Sequence, residues 1–402
     1  MQGLIGPLKE LAEFEELCKN KKKDVGMIRV CGCVNSQKSH MMYALGDGCK
    51  YKVIACSSET KAKQIYEEYR FLDSNTYLYP AKDFLFYQAD IRSKELVKQR
   101  MEGIQAVLSG EPVTVVTSLD GFMDHLAPKE SIAEKVLKVQ NDSVLKLDEM
   151  AEKLSVIGYD REVQVEGPGQ FAVRGGILDI YPLTEELPVR IELWGDEVDS
   201  IRTFDVESQR SIENLMDIVI YPAVEFPQNG EKGVSFLDYF PPEDTILFLD
   251  EPVRLVERGQ NIEDEFMEAQ KKRLESGYDL EEEEAKIFPV TEILKKINCY
   301  SSIGFYALGM KCKGLEVRES YEIQAKSVNP YNNSFEMLTQ DLKRLKRNGY
   351  RVILLSGSRT RAKRLAEDLR DYNLSSYYSE DLDREVKPGE IMTAYGYIAE
   401  GY

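Results

Sequence analysis

Histidine is almost missing from this sequence of 402 residues, with only His40 and His125 present. Catalytic schemes that rest on imidazole are therefore poorly supplied. Cys31-Gly-Cys33 lacks the usual spacing of zinc ligands and has no second Cys/His pair nearby, so a buried structural role is expected for both thiols. The seven cysteines are odd in number and scattered, which fits reduced thiols in a cytoplasm better than a disulfide framework. No apolar run approaches the ~18 residues of a membrane span; strands such as Tyr350–Leu355 are short. Met1-Gln-Gly-Leu lacks a basic region followed by an apolar core, so no secretion signal is expected. No Gly-x-Ser-x-Gly elbow and no internal repeat occur. Basic charge is in deficit, 52 Lys and Arg against 70 Asp and Glu, for a net charge of −18. That balance argues against a broad phosphate-binding surface without excluding a local basic patch.

What is present suggests two to four domains of α/β type. Residues 1–125 alternate helix and strand. The expected strands are Met27–Val30, Tyr51–Ala55, Thr76–Leu78 and Pro112–Thr117, and the expected helices Leu8–Cys18, Lys61–Phe71 and Lys94–Leu108. Such alternation implies a parallel, doubly wound sheet. Residues 126–212 differ, with a helix striped by Leu147, Met150, Ala151 and Leu154 and then β-rich, turn-punctuated sequence. From 213 to 330 the α/β character returns, with strands Asp217–Ile220, Thr245–Leu249 and Ile303–Tyr306 and a charged helix from Pro252 to about Lys286. After Asn329-Pro330 a small α/β block, 331–402, follows with helices Phe335–Lys346 and Arg361–Leu369 and strands Tyr350–Leu355 and Ile391–Thr393. The run Glu281–Glu284 reads as a solvated face or loop.

The stretch from Tyr159 to Arg210 carries the most information. Gly175-Gly176 and Gly195-Asp196 punctuate β-rich runs, the pattern of an antiparallel sheet with one packed face and one free face. Side chains two apart share a face. Ile191 and Leu193 then point to the core, while Arg190, Glu192 and Trp194 point away from it; Arg174 belongs to the free face of a neighbouring strand. The only tryptophan thus stands beside arginines on the polar side of a strand, and Trp and Arg often dominate protein interfaces. Two readings remain open here: a docking surface, or a face covered by another element with Trp194 as ordinary packing.

One motif suggests nucleotide chemistry. After Met27–Val30 comes Gly32-Cys-Val-Asn-Ser-Gln37-Lys38-Ser39, which has the position and spacing of a phosphate-binding loop with Lys38 and Ser39 in place. Gln37 replaces the second glycine and should crowd the nest of amides, so the loop is expected to be degenerate. Ile246–Glu251 has the outline of an apolar strand ending in an Asp250-Glu251 pair that would hold Mg²⁺ and position water. Ser356–Thr360 reads as an anion site or a helix cap, and Lys343-Arg-Leu-Lys-Arg347 as an outer helix face or a DNA contact.

The segments Gly169–Pro182, Pro188–Glu197 and Ser200–Arg210 resemble the bacterial transcription-repair coupling factors (Mfd) and, more distantly, the excision-repair protein UvrB. The resemblance implies a UvrB-like module: domain 1A (1–125) of helicase type, an inserted domain 2 (126–212), domain 1B (213–330) completing the fold, and a small domain 3 (331–402) cut short near its end. It implies that an RNA-polymerase-interacting domain, two motor domains with ATP and Mg²⁺, and a C-terminal regulatory domain that can mask domain 2 lie outside this chain. UvrB uses an intact phosphate loop, which Gln37 breaks here. UvrB also has an aromatic-rich β-hairpin, for which the passage from Tyr79 through Phe84–Tyr87 to a helix near Lys94 leaves no room. The resemblance therefore implies a bacterial, cytoplasmic, non-catalytic adaptor without a cofactor of its own, which docks UvrA through Arg174, Arg190 and Trp194. RNA polymerase and double-stranded DNA would be partners of the absent domains. The rival readings are an ATP-dependent helicase-like half using Lys38, Ser39, Asp250 and Glu251, or a DNA-binding module.

Overall fold

The computed structural model describes residues 2–21, 24–82, 94–228, 230–277, 287–307, 309–332 and 334–402. Seven parallel strands form the main sheet, in the order Val317–Glu322, Gly26–Cys31, Ser301–Tyr306, Thr245–Asp250, Tyr51–Cys56, Val113–Ser118 and Thr76–Tyr79. Strands from the two sequence blocks interleave, so neither block forms this sheet alone. Val113–Ser118 and Thr245–Asp250 are buried at every position, as expected for central parallel strands covered on both faces. Ile28, Ile54, Val116, Phe248 and Phe305 pack towards Leu17, Met42, Leu45 and Ile65 of one helical layer. On the other face Met27, Val53, Val115 and Leu249 meet Met101, Ile104, Leu255 and Ile293. The fold is mixed α/β with a large parallel sheet.

Between the Val113–Ser118 and Thr245–Asp250 strands the chain makes an insertion. Its six-stranded sheet runs Ser211–Leu215, Glu197–Phe204, Val189–Trp194, Ile177–Tyr181, Gln170–Arg174 and Asp160–Arg161. One face packs against the Leu147–Val156 helix, with Met150 and Leu154 against Phe171, Ile180, Ile191 and Ile201. Asp217–Ile220 pairs antiparallel with Leu137–Gln140 and so closes the insertion, contrary to the expectation that it opens the next α/β block. The anticipated boundary after residue 212 consequently falls inside the Ser211–Leu215 strand.

Both junctions of the insertion are held to the main sheet by a buried charge cluster. Arg100 is fully enclosed on the Lys94–Leu108 helix; its Nε donates to Glu225 Oε1 at 2.8 Å and its Nη2 to Asp124 Oδ2 at 2.6 Å. Lys82 Nζ completes the set, 2.9 Å from Glu225 Oε1 and 3.1 Å from Asp124 Oδ2. Burial alone would raise the Glu225 pKa, but Arg100 and Lys82 outweigh it and bring it to about 2. Two cations and two carboxylates cancel, which is the condition under which buried charge is tolerated.

The last block has three parallel strands, Val352–Ser356, Ile391–Tyr395 and Ser376–Tyr378, with helices Phe335–Arg347 and Arg359–Asp371 sharing a core that includes Leu342, Leu369 and Ile391. The helix from Pro252 ends at Glu275. The Glu281–Glu284 run and the Phe84–Tyr87 passage lie outside the described residues.

Candidate docking surface and remnant phosphate loop

The open face of the six-stranded sheet brings the three expected residues to one side. Gly175 and Gly195 adopt φ of +60° and +65°, so they make turns that an L side chain would strain. Gly176 O accepts from Leu193 N at 2.8 Å, which brings the Arg174 turn beside the end of the Trp194 strand. Trp194 is 85% exposed, and no element covers it among the described residues.

The two arginines share one carboxylate that sequence reasoning passed over. Asp179, on the middle strand, is 1% exposed and accepts from Arg174 Nη2 at 2.5 Å. Arg190 chelates the same group, Nε to Oδ1 at 2.7 Å and Nη2 to Oδ2 at 2.8 Å, and adds a bond from Nη2 to Gln209 Oε1 at 2.8 Å. The Arg190 guanidinium also lies 4.4 Å above the centroid of the buried Phe204 ring. Arg190 is thus only 14% exposed at its side chain, whereas Arg174 is 42% exposed and spends one nitrogen on Asp179. Bonding to Asp179 raises the Arg190 pKa. Beside this set Arg202 pairs with Glu192. The sequence signal for Asp179 was a carboxylate inside the apolar strand Ile177–Tyr181, in register with Arg190. Gln209 and Phe204 gave no comparable signal.

The second candidate, the phosphate loop, is altered more deeply than the loss of one glycine suggests. The helix begins at Asn35 and runs to Leu45, so Asn35, Ser36 and Gln37 are helical where a phosphate loop would present its amides. Gln37 does not crowd a nest; its Oε1 accepts from Val34 N at 3.3 Å and caps the helix start. Gly32 remains with φ of +85° because a Cβ there would meet Ile323 O at 2.0 Å. Lys38 Nζ lies 2.8 Å from Asp250 Oδ1 and 2.6 Å from Glu251 Oε1. Burial would lower its pKa, but the two carboxylates, Asp250 foremost, raise it. Ser39 Oγ donates to Glu68 Oε2 at 2.5 Å and Ser36 Oγ to Glu68 Oε1 at 3.0 Å.

A strap from the last block lies over the same place. Ala399 N donates to Glu68 Oε1 at 3.1 Å, Glu400 N to Ser36 Oγ at 2.9 Å, and Asn35 Nδ2 to Glu400 Oε2 at 3.1 Å. The groups that would serve ATP and Mg²⁺ are therefore engaged with each other, with Glu68 or with the strap. This arrangement does not fit the nucleotide.

The remaining candidates have local explanations. Ser358 caps the Arg359–Asp371 helix by accepting from Arg361 N at 3.2 Å. Lys343 and Arg347 are exposed, while Arg344 pairs with Asp341 within the same helix. Cys31 and Cys33 are buried free thiols. Among the described residues no group of three metal-ligating side chains occurs, and no helix is long and apolar enough to cross a membrane.

Comparison with known proteins finds a family match across the inserted sheet. Residues 137–226 match the UvrB interaction domain family, a span that contains Arg174, Asp179, Arg190 and Trp194. The chain is 24% identical to the transcription-repair-coupling factor of Bacillus subtilis (strain 168), over 98% of this chain and 38% of that protein. The transcription-repair-coupling factor of Staphylococcus haemolyticus (strain JCSC1435) is 23% identical over 82% of this chain and 32% of its own length. That of Staphylococcus aureus (strain Mu50 / ATCC 700699) is 35% identical over 39% of this chain and 13% of its own length. The chain spans well under half the length of these relatives. It is similar to the bacterial transcription-repair-coupling factors, and its residues 137–226 match the UvrB interaction domain.

Proposed function

We propose that this chain is a non-catalytic docking module that binds UvrA and brings nucleotide excision repair to RNA polymerase stalled at a lesion. The observation that carries the reading is the exposed Trp194 beside the Arg174–Asp179–Arg190 cluster, on an uncovered sheet face within the UvrB interaction domain. A large aromatic surface next to a guanidinium suits a protein partner. In this reading Arg174, Arg190 and Trp194 make up the UvrA-docking patch, and no nucleotide or metal is needed by the module itself. ATP, Mg²⁺, RNA polymerase and double-stranded DNA engage parts of the longer protein outside this chain, whose C-terminal regulatory domain can mask the patch. The setting is the bacterial cytoplasm.

The helicase-like rival has one observation in its favour, the convergence of Lys38 with Asp250 and Glu251. Against it stand the helical loop and the engagement of Ser39 with Glu68. Pull-down and biolayer interferometry with purified UvrA decide the matter. Binding that is lost in Arg174→Ala and Trp194→Ala supports the docking reading, and its absence in the unaltered chain rejects it.

A further inference from the structure

The charged groups on the open sheet face alternate in sign. Arg174, Asp179 and Arg190 are linked through Asp179, and Glu192 and Arg202 pair beside them. Glu197 stands opposite Trp194 in register, so the face carries three arginines and three carboxylates, of which only Asp179 is shared by two arginines. Arg190 is bound at two nitrogens, stacked on Phe204 and largely covered. Arg174 is the most exposed of the three arginines, and only its Nη2 has a bonded partner among the described residues.

Resting on the UvrA-docking reading, we infer that Asp179 is the positioning residue of the patch: it fixes Arg174 so that the free edge of its guanidinium takes a carboxylate of UvrA beside Trp194, while Arg190 is scaffold. A guanidinium edge and a carboxylate make a planar two-bond pair, so the orientation of Arg174 matters as much as its charge. Asp179 is suited to the task. It is nearly inaccessible to a partner, yet each of its oxygens is engaged by an arginine from a flanking strand. Arg190, held in turn by Gln209, keeps the carboxylate from rotating.

The assignment separates from a simple charge effect. Asp179→Asn adds one net positive charge, so a patch acting by attraction alone would bind an acidic partner as well or better. A patch acting by geometry would bind more weakly. Arg190→Lys gives a second test, because it keeps the charge and removes the two-bond clamp. The experiment titrates the full chain and these variants with purified UvrA while recording dissociation rates, melting temperatures and the Nε–H resonances of the arginines by ¹⁵N NMR. Both variants are expected to weaken UvrA binding at least tenfold, chiefly through faster dissociation, with loss of the protected Arg190 Nε–H signal. Arg174→Glu is expected to abolish binding, and one Asp or Glu to Lys change on UvrA to restore it. Unchanged or tighter binding by Asp179→Asn or Arg190→Lys overturns the positioning role. Failure of every acidic-to-lysine change on UvrA to rescue Arg174→Glu overturns the carboxylate assignment. A wild-type chain that shows the protected Arg190 signal but no UvrA binding rejects the docking reading, and this inference with it, while a wild-type chain without that signal rejects the clamp alone.

Discussion

Lys38 Nζ and Asp250 Oδ1 stand 2.8 Å apart, an ammonium and a carboxylate both almost wholly withdrawn from water. In a nucleotide site the lysine reaches a phosphate and the strand-end acid serves a metal ion. Here each satisfies the other, with Glu251 as a second acceptor. Such a pair resists opening, because a nucleotide entering with its metal has to break one buried and one part-buried ionic contact before forming its own.

Calorimetric titration of the chain with ATP and Mg²⁺ is therefore expected to give no heat beyond dilution. Lys38→Ala should leave that result unchanged and cost about 3–5 kcal/mol of stability, since Asp250 is left buried and unpaired. Micromolar binding that Lys38→Ala abolishes would overturn the adaptor reading in favour of an enzyme.

Trp194 and Arg190 should part company in a stability assay. At 85% exposure Trp194 carries little folding energy, so Trp194→Ala should shift stability within about 0.5 kcal/mol. The same change should cost about 1–4 kcal/mol of UvrA binding if it is a central contact. Arg190→Ala removes three charge-assisted bonds and leaves Asp179 with Arg174 alone, a loss on the order of 1–3 kcal/mol of stability. Trp194→Ala should therefore melt close to the wild type and Arg190→Ala clearly below it. Melting curves and UvrA affinities for the set settle it; a large fall in melting temperature for Trp194→Ala would make that residue core.

The two-residue alternation of Val189–Trp194 was enough to put Ile191 inside and Trp194 outside, because one face of that sheet is packed and the other is not. The central parallel strands were equally legible, since burial on both faces favours short runs rich in apolar and β-branched residues. Val317–Glu322 escaped notice because an edge strand with a largely solvated sequence, Val-Arg-Glu-Ser-Tyr-Glu, has no apolar period to display. Asp217–Ile220 was visible as a strand, but its partner was not: pairing with Leu137–Gln140 spans some eighty residues and leaves no local trace. Asp179 and Glu68 were missed for a related reason. A buried carboxylate is recognised by the donors that converge on it, and those come from other strands and helices.

DNA binding by the chain should be weak and insensitive to sequence at about 150 mM salt, near physiological ionic strength. The net charge of −18 opposes the release of counterions that drives such binding. Lys343 and Arg347 are exposed, so the helix Phe335–Arg347 is where any residual contact would form. Fluorescence anisotropy with a duplex is the measurement. Tight binding removed by charge reversal at Lys343, Arg344, Lys346 and Arg347 would support the DNA-module alternative.

His40 should make the chain less stable as pH falls through the mildly acidic range. Burial lowers its pKa to about 4, against a backbone interaction with Leu4 that acts in the opposite sense. Its Nδ1 faces the Tyr402 hydroxyl at 2.5 Å, within the strap that also reaches Glu68 and Ser36. An unfolded histidine titrates near 6.5, so between about pH 6.5 and pH 4 the unfolded chain binds more protons than the folded one. Stability from this group is complete above that window and is lost on descending through it, with a ceiling of about 3 kcal/mol. Glu225 acts lower down, with its contribution lost between the ordinary glutamate range and about pH 2, so the two effects separate. Urea unfolding midpoints for wild type and His40→Gln, taken from pH 4.5 to 7.5, provide the comparison. The wild type should lose stability steadily on acidification, and His40→Gln should show a flatter profile because its amide does not titrate. Equal slopes for the two proteins would assign the pH dependence elsewhere and remove His40 from the account.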